Sequence, residues 1–259
     1  MRKTIDVIER VFRHAGLLVA PTWRTVQLDE EKHMRRLLKY LDIDCIFDVG
    51  ANVGQYAEKA RRNFEFNGRI ISFEPNPVAF EQLKAKSAND HLWEAVPFAL
   101  GSEPGLLNFQ AYDDSKLGSF LEFDEASPNA PTNMGKKTIA VQVETLAAAL
   151  PSLNEKYGFK RPFLKMDTQG FDLQVAKGAG DKLPTFLGIQ SEVSFGTIYS
   201  KTPMFDEVVA YYQSQGFTIS RLFPNNDVHF PRLVEMDVVM IRDDQANLGL
   251  SKLGSMDEH

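Results

Sequence analysis

The segment Asp48-Val49-Gly50-Ala51-Asn52-Val53-Gly54 follows a short apolar run and precedes a helical pattern. A strand that empties into a glycine turn places the turn outside the carboxyl end of a sheet, where open α/β sheets bind ligands. Gly50 and Gly54 let the backbone approach a ligand that a Cβ would push away. Asp48 adds a carboxylate suited to meeting an ammonium group, directly or through water. A dinucleotide fingerprint, G-x-G-x-x-G, would need glycine where Asn52 stands. The turn therefore suits a cationic ligand without phosphates better than a pyrophosphate.

Three later strand ends complete the constellation. Phe73-Glu74-Pro75-Asn76-Pro77 closes the second apolar run, and an acid there is placed to accept hydrogen bonds from both hydroxyls of a ribose. Glu74 thus predicts a ribose, Asn76 a second polar contact, and the flanking prolines a rigid exit into a helix. Phe98-Ala99-Leu100-Gly101 offers small apolar groups to sandwich a flat base, although core packing gives Ala99 and Leu100 an equally ordinary role. In Leu164-Lys165-Met166-Asp167-Thr168-Gln169-Gly170-Phe171-Asp172, Asp167 stands nearest the reacting end of a ligand lying across the sheet. Lys165 shares its strand face and is expected to pair with it. Asp172 is expected to open the next helix, where an acid complements the dipole.

These groups need a sheet to hold them. Apolar runs at residues 45–49, 69–73, 93–100, 162–167, 186–193, 217–223 and 234–241 alternate with helical patterns at 54–66, 77–88, 171–177 and 203–215. That alternation is the mark of βαβ units, and the last run reads as an antiparallel strand completing a seven-stranded, mostly parallel sheet with helices on both faces. Residues 106–112 and 136–144 read as an inserted antiparallel pair around a polar stretch, 113–135, whose length marks it as a lid, a binding loop or disorder. A helix is expected over 29–41 with Asp29 as N-cap, and an amphipathic one earlier, with Ile5, Ile8, Phe12 and Ala15 on one stripe. The division expected is a helical extension at 1–43, a main domain at 44–242 carrying the insert 105–144, and a loose tail at 243–259.

Composition narrows the function classes. With 259 residues, 43% hydrophobic and 25% charged, the chain is an ordinary globular one. The 29 Lys and Arg against 35 Asp and Glu leave a net charge of −6, which argues against gripping nucleic acid through its phosphates. Cys45 is the only cysteine, so the chain offers neither an intramolecular disulfide nor a cysteine-clustered metal site, which fits a reducing cytoplasm. No export signal and no membrane-inserted helix are read at the N-terminus. The early helices could cap their own domain or a neighbour's, so homo-oligomerisation stays open.

At these residues the sequence resembles the FkbM family of S-adenosylmethionine-dependent methyltransferases. The similarity is carried by IFDVGANVGQYA, IISFEPNPVAFEQL, VPFALG, LGSF, VETLAAAL, FLKMDTQGFDLQVAKGA, IQSEVSF and VEMDVVMIR, in order over residues 44–242. It implies a Rossmann-like class I methyltransferase fold and methyl transfer to an oxygen of a sugar, polyketide or related small molecule. It also implies Asp48, Gly50, Ala51, Asn52 and Gly54 around the methionine part of S-adenosylmethionine, with Glu74 and Asn76 at the ribose. Ala99 and Leu100 then lie beside adenine, Ser119 near cofactor or acceptor, and Asp167 at the cofactor's reacting end. One departure stands out: the family commonly has an acid where this chain has Gln169.

A hydroxyl acceptor must lose a proton, so a general base is needed within hydrogen-bond reach. Asp167, Glu192 and His229 are the candidates, His229 because its ordinary pKa suits proton uptake at neutral pH. Asp167, Glu192 and Asp237 are oxygen ligands of the sort magnesium prefers, but no motif places them together and no metal is expected. Two readings compete with a small-molecule O-methyltransferase: a cofactor-binding subunit without activity, suggested by Gln169, and a nicotinamide oxidoreductase, which the glycine spacing disfavours.

Overall fold

A computed structural model describes residues 25–132, 134–224, 229 and 231–246. The predicted stripe of Ile5, Ile8, Phe12 and Ala15 and the tail beyond residue 246 lie outside the described residues.

The first element is helix α1 (Thr25–Tyr40). It begins before Asp29, which is therefore not its N-cap; within the helix Asp29 takes an ion pair from Arg221, 2.7 Å away. Then come β1 (Cys45–Val49), α2 (Gln55–Arg62), β2 (Arg69–Phe73), α3 (Pro77–Ser87) and β3 (Trp93–Val96). Asn76 caps α3 by accepting the Val78 N–H at 3.0 Å, and Pro77 takes the first helical position, where its missing N–H costs nothing. The expected third strand splits. Pro97 has no N–H to donate, and after it β4 (Ala99–Leu100) leaves the main sheet to pair with a second one.

That second sheet is the insert. Strands β5 (Gly105–Tyr112) and β6 (Lys136–Glu144) pair antiparallel, as the sequence indicates, with β4 alongside β6. Helix α4 (Leu146–Tyr157) was not legible as a periodic segment, and Pro151 interrupts its pattern. Its ends carry ordinary signals, Thr145 accepting the Ala148 N–H and Gly158 in the left-handed region. The chain continues through β7 (Pro162–Met166), α5 (Asp172–Lys177), β8 (Gly188–Ser194), α6 (Phe205–Ser214), β9 (Phe217–Pro224), β10 (Glu235–Arg242) and the short α7 (Asp243–Ala246).

The main sheet has seven strands in the order β3-β2-β1-β7-β8-β10-β9, all parallel except β10, which runs antiparallel between β8 and β9. β1 and β7 are buried along their whole length, which explains why they are apolar except at Asp48 and Lys165. One face packs Phe47, Phe73, Phe159 and Phe186 under α4 to α6; the other packs Ile46, Ile70 and Phe163 under α1 and α2. The chain departs from β1 in one direction across the sheet and returns at β7 in the other. The crevice between the carboxyl ends of β1 and β7 is thus the switch point where such folds bind ligands.

Candidate active site

Two backbone segments meet at that crevice. The turn after β1 is stapled to the end of β2, the N–H groups of Gly50 and Ala51 both donating to the Phe73 carbonyl at 3.1 and 3.0 Å. Gly50 has φ +74°, and a Cβ on it would lie 2.0 Å from the carbonyl oxygen of Asp167. Glycine is needed there for close passage of the chain after β7, so Gly50 brings Asp167 to the turn. Gly54 serves packing: its Cβ would strike the Trp93 ring at 2.7 Å.

Glu74 is 5% exposed, its Oε2 accepting the Asn52 N–H at 2.7 Å and its Oε1 the Asn76 N–H at 2.8 Å. Burial pushes its carboxyl up to about 7, against the downward pull of those N–H groups. The cavity in front of it is walled by Gly50, Asn52, Phe73, Ala99 and Leu100, ends at Asp167 and Thr168, and is covered by Ser115, Lys116, Gly118 and Phe120 of the insert. Both side-chain amide atoms of Asn52 are buried without a hydrogen-bond partner. An unpaired buried amide beside a carboxylate, between apolar walls, fits a ligand that joins polar groups to a flat base.

Other predicted contacts stand behind this wall. Asp48 is fully buried, and both its oxygens are taken, Oδ2 by the Ser72 hydroxyl at 3.0 Å and Oδ1 by the Lys165 ammonium at 3.1 Å. The direct meeting with a ligand expected of Asp48 gives way to holding Lys165, because β1 lies between two strands and turns that side chain under α2. Ala51 is buried and Asn76 is engaged as a helix cap. Ser119 is buried too, donating to the Gln169 carbonyl at 2.7 Å and accepting the Leu121 N–H at 3.0 Å.

Beyond Asp167 the site becomes acidic. Strand register sets Asp48, Lys165 and Gln190 in one row and Glu192 opposite Asp237. Lys165 lies 3.7 Å from Asp167, the expected pair, but closer to Asp48. Burial works against its charge, yet attraction from Asp48 and then Asp167 leaves its pKa raised. Glu192 is raised well above the usual carboxylate range by burial first and then by the charges of Asp167, Glu235 and Asp237. Burial also lifts Glu235 and Asp237 to about 7, with Asp167 repelling both and Glu30 adding to the rise at Asp237. Asp172 begins α5, as expected. Its carboxylate also ties two strand ends together, accepting the Thr168 N–H at 2.7 Å, the Ser191 hydroxyl at 2.9 Å and the Glu192 N–H at 3.0 Å.

Gln169 donates to Asp167 Oδ1 at 3.0 Å and to Glu192 Oε2 at 2.9 Å, so two of the three proposed bases converge. His229, the third, sits half-buried in the connection between β9 and β10, its carbonyl accepting the Arg232 N–H at 2.8 Å. The hydrogen bonds that join Asp167 to Glu192 do not extend to it. Tyr199 is 1% exposed and donates to Gln169 Oε1 at 2.9 Å. Phe195 is 42% exposed but stacks on Phe205, centroids 4.7 Å apart. Glu235, Tyr56 and the insert's Ser115, Lys116 and Phe120 were missed. The two-residue period of EMD and QSE would have put Glu235 and Gln190 on the same face as Asp237 and Glu192. Among the described residues no group of three or more His, Cys, Asp or Glu is placed to hold a metal ion.

A doubly wound seven-stranded sheet with its penultimate-position strand reversed defines the class I methyltransferase fold. The methyltransferase FkbM domain matches residues 48–219, and the chain belongs to that family. A curated relative, the 31-O-demethyl-FK506 methyltransferase FkbM of Streptomyces tacrolimicus, is 26% identical over 211 residues, covering 72% of this chain and 78% of the relative. Among solved structures, a methyltransferase FkbM from Methylobacillus flagellatus KT matches with TM-score 0.47 and 14% identity over 77% of this chain. This chain spans 44% of that protein's length. Magnesium protoporphyrin IX methyltransferase from Synechocystis PCC 6803 matches with TM-score 0.44 and 8% identity, over 85% of this chain and 89% of the other.

Proposed function

We propose that this chain binds S-adenosylmethionine in the cavity before Glu74 and methylates a hydroxyl of a sugar or other small natural-product acceptor, in the cytoplasm and without nucleic acid as partner. The observation that carries the reading is the juxtaposition of Glu74, accepting two backbone N–H groups, with the unpartnered Asn52 amide at the family's glycine turn. Glu74 would accept the ribose hydroxyls, Ala99 and Leu100 would flank the base, and Asn52 would meet the polar methionine end. The name of the Streptomyces relative, which acts on an O-demethyl compound, supports an oxygen acceptor. The single cysteine and the net charge of −6 support the compartment and the small-molecule partner.

When bound, the cofactor would supply an electrophilic methyl group carried on a positive sulfur, which becomes a neutral thioether leaving group. The protein's own share is to align, exclude water and move one proton. Glu192, whose proton affinity burial and the neighbouring acids raise above that of an ordinary carboxylate, takes the hydroxyl proton. Asp167 stands between Glu192 and the turn. Lys165 stays charged and offsets part of the acidity around Asp167.

Calorimetry with S-adenosylmethionine and S-adenosylhomocysteine, with NADH as control, tests the cofactor. Transfer of labelled methyl to a panel of sugars and macrolides then tests the acceptor. Heat with NADH alone would overturn the reading, and cofactor binding without transfer to any hydroxyl would leave a binding subunit.

A further inference from the structure

The acids at the catalytic edge are not simply crowded together; an amide is inserted between them. Gln169 donates one N–H to Asp167 Oδ1 at 3.0 Å and the other to Glu192 Oε2 at 2.9 Å. Its own carbonyl oxygen accepts the Tyr199 hydroxyl at 2.9 Å, a hydroxyl that also lies 3.0 Å from the Leu117 carbonyl. The Tyr199 contact fixes which end of the amide faces the acids. The backbone is held as well: Gln169 has φ +53°, Gly170 follows with φ +86°, and Ser119 donates to the Gln169 carbonyl at 2.7 Å. A residue held in the left-handed region, tied through its backbone carbonyl to Ser119 of the insert and through its side chain to Tyr199, and bridging two carboxyl groups, is held more firmly than a surface loop requires.

We propose that Gln169 is a positioning residue for methyl transfer, whose amide holds Asp167 and Glu192 side by side and selects the Glu192 oxygen that receives the acceptor's proton. An oxygen that carries a proton is a poor hydrogen-bond acceptor, so donation to Oε2 directs the arriving proton to Oε1. The amide also supplies donors to two carboxylates that would otherwise repel each other at close range. An acid at this position would add a third negative group to the same space and could donate at most one proton. The neutral amide is therefore a feature of this chain's own chemistry. A neighbouring site repeats the pattern: Tyr56 donates to Gln190 Oε1 at 2.9 Å, and the Gln190 amide faces Asp237 at 3.3 Å and Glu30 at 3.5 Å.

The role in methyl transfer rests on the proposed function above, but the clamp itself can be read without cofactor. Glu192 is faced by Asp167 after β7, Asp172 of α5, Glu235 and Asp237 of β10, and Tyr199. Its carboxyl titration can be followed by 13C NMR in the full chain labelled at glutamate, with Glu192→Gln giving the assignment. We expect Gln169→Glu to move the Glu192 midpoint upward by about one pH unit or more, through a third carboxylate, and Gln169→Leu to move it the same way by removing its donor. Thermal melts identify a variant that fails to fold, in which case the isosteric Gln169→Glu decides. Midpoints unchanged in the folded variants would overturn the clamp. Loss of S-adenosylhomocysteine binding in the wild type, with the midpoint shifts intact, would instead refute the functional reading and leave the clamp standing.

Discussion

Lys165 Nζ lies 3.1 Å from Asp48 Oδ1, inside a sheet where neither side chain is more than 7% exposed. The Lys165 ammonium also lies 5.0 Å above the Tyr56 ring. The Ser72 hydroxyl that completes Asp48 accepts the Trp93 indole N–H at 2.9 Å. This ladder of contacts runs across β3, β2, β1 and β7 and sets the height of the crevice floor.

Lys165→Met should therefore destabilise the fold by about 3–5 kcal/mol, because it strands a buried carboxylate. Adding Asp48→Asn should recover much of that loss. Chemical denaturation of the single and double variants measures it; additive losses would show that the two groups are not coupled.

Glu74→Gln should weaken nucleoside binding about 10–100-fold, the worth of hydrogen bonds to a charged acceptor. Since the wild-type carboxyl is pushed up to about 7, affinity should also fall as pH drops from 8 to 6, and the variant should lose that dependence. Calorimetry across this range reads both effects.

Glu192→Gln should lower turnover about 100–10,000-fold, the usual share of a general base, while leaving cofactor affinity close to that of the wild type. Asp167→Asn should likewise remove turnover while keeping most cofactor binding. Single-turnover transfer of labelled methyl, alongside calorimetry, separates the two quantities. Full turnover in Glu192→Gln would assign the base elsewhere.

Asp237 carries its proton up to about 7 in the fold, against an ordinary value of 3.8. Between these values the folded chain holds a proton that the unfolded chain has released. The stability linked to Asp237 is thus complete below pH about 4 and lost as pH rises through 7. Asp237→Asn should stabilise the protein by up to about 4 kcal/mol at pH 8 and leave it near neutral below pH about 4. Thermal melts at both ends test this; an equal effect at every pH would exclude titration as its origin.

Gly50→Ala should cost several kcal/mol, because the new Cβ would lie 2.0 Å from the Asp167 carbonyl and φ is +74°. A soluble variant with a wild-type melting temperature would mean that the two chain segments can part freely.

Much of this arrangement is legible in the chain itself. The glycine turn, Glu74 and the alternation of apolar runs with helical stretches depend on local patterning, and the strands form close to where that patterning puts them. The break at Pro97 and the helix across Pro151 are less legible, since proline disrupts the pattern in both places while tertiary packing decides which structure survives. The insert was visible as a hairpin with a long polar stretch. Its length marked it as a candidate lid, but that Ser115, Lys116 and Phe120 lie over the cavity was not legible, because nothing local specifies where a loop folds back.

The order of elements, the ribose-type acid and the turn that faces it follow from the sequence alone, for they rest on residue spacing and on backbone freedom at single positions. Only the tertiary structure gave Asp48 to Lys165, buried Tyr199 against Gln169 and gathered Glu192, Glu235 and Asp237 around Asp167. Those outcomes depend on strand order and register, which bring residues distant in the chain to hydrogen-bond range, and on burial, which decides what charge each can carry.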